Sequence, residues 1–219
     1  MVGSRGARRI VSEPMADAPT AAAPRAAARK AGAIVLARHG EPALSRKVLL
    51  SAEEYRGFWA SYEVLGILPG QTPPEDLAQF VAKCGRLISS TRPRSIESAK
   101  VLAGDRQFAQ HDLLVEAPLP PPRWPSWIKM SPKLWGFFAR VWWWCFDHHE
   151  GEETRAQAVR RAEEAADMLV EMASTGEDVV VLAHGFFNFM IGRVLKRRGW
   201  RCVQSQGYKY WSMRRFQLG

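Results

Sequence analysis

The sequence predicts an α/β fold, and three observations carry that expectation. Two apolar runs far apart in the chain, Ala33 to Leu36 and Val179 to Ala183, each lead into a His-Gly pair, His39-Gly40 and His184-Gly185. A third apolar start, Leu87-Ile88, passes through small hydroxyl residues into Arg92-Pro93-Arg94 and then a helical pattern. Short β-branched runs that alternate with amphipathic helices build open, mainly parallel sheets. Such sheets place their ligand sites at the C-terminal lip of the strands, where these runs deliver their basic residues.

Taken in order, residues 1–31 are Ala-, Arg- and Pro-rich and are expected to form a disordered leader ahead of one domain over 32–219. The first strand ends at Arg38. Ser51-Ala-Glu-Glu54 resembles a capping box and opens a helix to about Leu65. On it Tyr55, Phe58, Trp59 and Tyr62 recur at helical spacing and read as core packing. A second helix is expected from Glu75 to about Lys83, after Pro73-Pro74. The strand at Leu87 and the helix carrying Ile96, Ala99 and Leu102 follow. Asp112 to Glu116 reads as a short strand before a proline-rich loop.

Arg123 to Phe146 holds six of the nine tryptophans and reads as a helical cap, inserted at about 117–150, whose indole N–H groups find partners. The next helix opens after Gly151-Glu152-Glu153, with Val159, Ala162, Ala166, Leu169 and Met172 as its buried stripe, and Gly176 ends it. A helix from about Phe186 to Arg198 follows the second His-Gly, and Tyr208 to Phe216 reads as a final strand.

Composition bounds the function classes. At 219 residues, 47% hydrophobic and 24% charged, the chain has room for one sizeable core. Its net charge of +9 favours anionic substrates without identifying nucleic acid as a partner. The tryptophans lie in one apolar block, without the basic–aromatic interleaving of a single-strand track, so no nucleic acid is expected. No apolar stretch reaches bilayer length, and the N-terminus lacks the apolar region of a secretory signal. The three cysteines, Cys84, Cys145 and Cys202, are widely spaced without a ligand pattern. Reduced thiols and a cytoplasmic location are the expectation. His148-His149-Glu150 reads as a solvated loop, and no metal or cofactor is expected. The Trp-rich cap with Lys129, Lys133 and Arg140 also allows peripheral contact with a membrane interface, and the oligomeric state stays open.

Chemistry concentrates at the lip. An arginine beside a histidine suits phosphate or carboxylate oxygens, and the imidazole can serve as nucleophile, base or donor. Gly40 admits a sharp turn or a close backbone approach. Arg94 stands near a helix N-terminus, where backbone donors favour anions.

Arg38-His39-Gly40-Glu41, the Arg94 motif, Glu116 and His184-Gly185 together resemble the histidine phosphatase superfamily, from about Ile34 to about Arg198. The resemblance implies a three-layer α/β/α sandwich with a mostly parallel central sheet and a Trp-rich cap insertion. Ser95 and Ser98 stand where the family's second arginine motif has alanine and threonine. Glu153 is read as replacing the serine of its Gly-Glu-Ser motif, with Arg160 as the helical arginine that follows. The implied chemistry is metal-independent hydrolysis of phosphomonoesters. His39 would form a phosphohistidine while its other ring nitrogen bonds a carbonyl. Arg38, Arg94, His184 and Gly185, with Ser45, would bind the phosphoryl group, and Glu116 would serve as the acid. Within the fold the rival is phosphoglycerate mutase-type transfer, weakened by Pro42 and Ser45 where mutase motifs carry a hydroxyl residue and then asparagine. A catalytically idle phosphate-recognising module is the reading from another class.

Overall fold

The computed structural model describes residues 30–219; residues 1–29, nearly all of the expected leader, lie outside the described residues. A six-stranded mixed sheet has the order β3-β2-β4-β1-β6-β5. Its strands are β1 (Ile34–Arg38), β2 (Arg86–Ser90), β3 (Ala109–His111), β4 (Val179–Ala183), β5 (Trp200–Ser205) and β6 (Met213–Leu218). Strands β3, β2, β4 and β1 run parallel, and β6 runs antiparallel to both of its neighbours, β1 and β5. The expected α/β class and mostly parallel centre are therefore present.

Alternation along the central strands separates two cores. Ile34 and Leu36 of β1, with Val179, Val181 and Ala183 of β4, pack under α5 (Arg155–Ser174) and α6 (Gly185–Arg197). Val35, Ala37, Val180 and Leu182 face α2 (Glu75–Lys83) and α3 (Pro93–Ala103). Strands buried on both faces need continuous apolar sequence, which Ile34-Val-Leu-Ala and Val179-Val-Val-Leu-Ala supply. Three layers result.

Helix α1 (Ala52–Val64) begins in the expected capping box: Ser51 Oγ accepts from the Glu54 N–H, and the Glu54 carboxylate accepts from the Ser51 N–H at 2.7 Å. Within the aromatic block expected to form a cap lies α4 (Pro132–Phe146). Trp135 and Trp143 are fully buried, and their indoles donate to the carbonyls of Leu50 and Glu153. Phe137, Phe146 and Trp127 remain exposed. Among the described residues no helix is long and apolar enough to cross a membrane.

Two elements differ from expectation. The strand read at Asp112 to Glu116 lies earlier, as β3, and Asp112–Leu114 is a 3₁₀ turn. His111 Nδ1 accepts the Leu113 N–H at 3.2 Å, closing the turn and directing Leu114 inward. The final strand read from Tyr208 starts only at Met213, because Tyr208 to Ser212 form the turn of a β5–β6 hairpin. Strand β5 has no marked apolar run; only Trp200 in it is buried.

Candidate active site

The parallel strands carry the chemistry to one lip. β1 ends at Arg38 and hands on His39, whose own N–H continues the ladder to the Ala183 carbonyl of β4 at 3.0 Å. His39 Nδ1 lies 2.7 Å from the Gly40 carbonyl. A carbonyl only accepts, so Nδ1 carries the proton and Nε2 holds a lone pair. The ring is 2% exposed. Burial, then the charges of Arg38 and Arg94, hold its pKa well below the ordinary histidine value.

Gly40 is dictated by close approach. A Cβ there would stand 2.5 Å from Trp211 Cζ2. Trp211 itself has φ 61°, a left-handed conformation that costs a non-glycine residue about 1–2 kcal/mol. Its indole donates to Gln71 Oε1 at 2.8 Å and its N–H reaches the His39 carbonyl at 3.3 Å, so the turn is tied to the backbone of His39.

β4 delivers His184 as the N-cap residue of α6. Its ring lies 5.2 Å from that of His39, edge-on. Arg94 Nη2 approaches His184 Nδ1 at 3.4 Å, and arginine only donates. The neutral ring therefore carries its proton on Nε2, which donates to Ser90 Oγ at 2.9 Å. Burial and the neighbouring Arg94 push this pKa well below the usual value too.

Four arginines act on the pair. Arg94 is fully buried; it donates to the Tyr62 carbonyl at 2.9 Å and to Glu63 Oε1 at 2.8 Å. Arg92 places Nε 2.7 Å from Glu63 Oε2, a charge contact without good hydrogen-bond alignment. Arg38 donates through Nη1 to the Tyr208 carbonyl at 2.7 Å and lies over the Tyr210 ring at 4.3 Å. Arg46 lies over the rings of Tyr62 and Tyr210 at 5.5 and 5.9 Å. The Nε–H groups of Arg38, Arg46 and Arg94 are all buried without an acceptor. Buried donors are normally satisfied, so three cationic ones around a neutral imidazole describe an anion receptor. Sequence reasoning named Arg38 and Arg94 and missed Arg46, choosing its neighbour Ser45, which is exposed. Only the fold reveals that choice, since an arginine in a loop has no periodicity to mark it.

Glu116 lies at the N-terminus of α6. Its Oε1 accepts the Phe187 N–H at 2.9 Å and Oε2 the Phe186 N–H at 3.4 Å, so it sits one turn from His184. Gly185 packs against Arg38, where a Cβ would meet Cδ and Nε at 3.4 Å. Arg160, read as the helical arginine, and its neighbour Arg161 lie in different surroundings. Arg160 is exposed, whereas Arg161 pairs with Glu153 at 2.6 Å and donates to the carbonyls of Leu113 and Val115 at 2.9 and 2.7 Å. The N-cap hydroxyl of α5 belongs to Thr154, one residue beyond Glu153. The helix starts a residue later than the Gly-Glu pair suggested. Arg161 holds the backbone just before Glu116. Among the described residues no group of three or more His, Cys, Asp or Glu is arranged to hold a metal ion.

No family model matches the chain, and no curated protein matches it in sequence. Among solved structures, a phosphoglycerate mutase from Bacillus anthracis str. Sterne is similar in fold, with a TM-score of 0.51 at 14% identity over 88% of this chain and 91% of that one. A mycobacterial glucosyl-3-phosphoglycerate phosphatase gives a TM-score of 0.50 at 17% identity, covering 77% of this chain and 81% of that one. At these identities the likeness is one of fold.

Proposed function

We propose that this chain, whose fold is that of the histidine phosphatase superfamily, hydrolyses phosphomonoesters through a phosphohistidine on His39 without a metal ion. The observation that supports this most is the His39 imidazole itself. It is neutral, its tautomer is set by Gly40, which leaves the lone pair on Nε2, and the charges of Arg38, Arg94 and Arg46 act on it, three arginines whose Nε–H groups are buried without an acceptor.

The reaction then runs in two displacements. Nε2 of His39 attacks phosphorus, the P–O bond to the leaving group breaks, and the departing oxygen takes a proton from Glu116. The guanidinium groups of Arg38 and Arg94 stabilise the charge on the equatorial oxygens. His184 exchanges its Ser90 partner for a phosphoryl oxygen, and the Gly185 N–H at the start of α6 adds a further donor. In the second step Glu116 takes a proton from water, which attacks the phosphohistidine and releases inorganic phosphate and neutral His39. Positive charge comes from arginines throughout, so the scheme assigns no task to a metal.

The test is p-nitrophenyl phosphate turnover in EDTA. Wild type turns over, and His39→Ala falls to background. Glu116→Gln loses about 10²–10⁴-fold on an alkyl phosphate and less on the nitrophenyl ester, whose leaving group needs little acid help. Turnover that survives His39→Ala, or that appears only with added metal, refutes the reading.

A further inference from the structure

Beside Arg38 and Gly185 opens a cavity of about 390 Å³, at the small end of the range for small-molecule sites. Its walls include Trp59 and Phe186, and its charged lining is Arg38, Arg46, Lys133 and Arg140, with no carboxylate. The phosphoryl group in the mechanism above engages Arg38. It leaves Arg140, on the inner face of the cap, with nothing to do.

Arg140 is half-buried there. Its one hydrogen bond runs from Nη1 to the Gly136 carbonyl at 2.8 Å, one turn back in α4. Its guanidinium lies 5.5 Å from the centre of the Phe186 ring. It is not ion-paired to any described carboxylate. Glu116 exerts a favourable charge effect from beyond ion-pair range, while Arg38 and Arg46 oppose it. Burial pulls its pKa below the ordinary arginine value, yet arginine stays charged at neutral pH. A half-buried guanidinium without an ion-paired carboxylate keeps donors free for the oxygens of a bound anion. Aromatic walls supply the complementary apolar contact.

We infer that this cavity receives the leaving group of the substrate, and that this group carries both a flat apolar or aromatic portion and a second anionic function, the ring lying between Trp59 and Phe186 and the anion on Arg140. The inference rests on the phosphatase reading for the position of the phosphoryl group and adds the substrate class. Arg140 is thereby a specificity residue.

Binding of non-hydrolysable analogues tests it independently of turnover. Calorimetry on the full chain compares phenylphosphonate with 4-carboxyphenylphosphonate. Wild type is expected to bind the carboxylated compound about tenfold more tightly, the scale of one charge-assisted contact. In Arg140→Gln that preference collapses towards unity, while Arg140→Lys, which keeps the charge, retains most of it; thermal melts verify that each variant is folded. Equal affinities in wild type, no binding of either compound, or a preference that survives in folded Arg140→Gln overturns the inference. Hydrolysis of phenyl phosphate that depends on His39, without any carboxylate preference, sinks the subsite alone. The expected preference without any hydrolysis sinks the phosphatase reading and keeps the anion subsite.

Discussion

Glu63 Oε1 lies 2.8 Å from Nη2 of the fully buried Arg94, so a carboxylate already occupies one donor of the arginine to which the proposed mechanism gives the phosphoryl group. The Tyr62 carbonyl takes a second donor. An incoming phosphate therefore competes with an internal anion, which weakens product binding. Glu63→Gln keeps a hydrogen-bond acceptor and removes the charge. Inorganic phosphate is expected to inhibit this variant several-fold more strongly, read as a lower competitive inhibition constant. Breaking the pair also lowers stability by about 1–3 kcal/mol in a denaturant titration. An unchanged inhibition constant would show that Glu63 does not compete.

The two buried histidines set the pH response of stability. Both have folded-state pKa values depressed by burial and neighbouring arginines. An unfolded histidine titrates near about 6.5, so below that pH the unfolded chain binds protons that the folded chain refuses. The stabilisation is fully present above about pH 6.5 and is lost as pH falls towards the folded values. The melting temperature should therefore drop between about pH 6.5 and 5, and by less in His184→Gln. Equal slopes in wild type and variant would remove His184 from the account.

How much of this was legible beforehand follows from the kind of signal each residue leaves. β1 and β4 announced themselves, because strands buried on both faces must be apolar throughout, and a His-Gly pair directly after each run fixes where the rings emerge. The cap at Thr154 was read one position early. The Gly-Glu pair marks a loop, whereas the helix start is set by which hydroxyl caps it, and Thr154 reaches the Gln157 N–H at 3.2 Å. Glu63, Arg46 and Arg140 act only through contacts across the fold. On the sequence they are a charge at a helix end, a loop arginine and a lone cation in an aromatic block.

The contrast between Arg160 and Arg161 is itself testable. The Arg161 side chain is 14% exposed and holds Glu153 together with two carbonyls of the segment leading to Glu116. Arg161→Ala leaves Glu153 half-buried without its partner and is expected to cost about 3–5 kcal/mol. Turnover should fall with it, as Glu116 loses its anchor. Arg160→Ala, on the exposed face, should stay within about 0.5 kcal/mol of wild type. Chemical denaturation of the two variants decides which arginine holds that segment.

Gly40→Ala tests the tie between the nucleophile and the hairpin turn. The new methyl would meet the Trp211 ring, which is held by Gln71 and by a strained backbone, so the ring cannot simply rotate away. Overpacking of this kind costs about 1–3 kcal/mol. Because Trp211 follows Tyr210, whose ring lies 5.8 Å from that of His39, displacement reaches the site directly. A tenfold or greater loss of kcat/KM on p-nitrophenyl phosphate is expected, on the order of 1.4 kcal/mol of transition-state stabilisation. A variant with wild-type kinetics would mean that the turn does not position His39.

The most direct measurement is to trap the intermediate. Wild-type chain is mixed with a ³²P-labelled aryl phosphate, quenched in denaturant at alkaline pH, and the label located by peptide mapping. The account predicts acid-labile, base-stable phosphate on the peptide carrying His39, absent in His39→Ala and longer-lived in Glu116→Gln, where water loses its base. Label on His184 or on another residue, or hydrolysis that proceeds in the burst phase with no protein-bound phosphate, would contradict it.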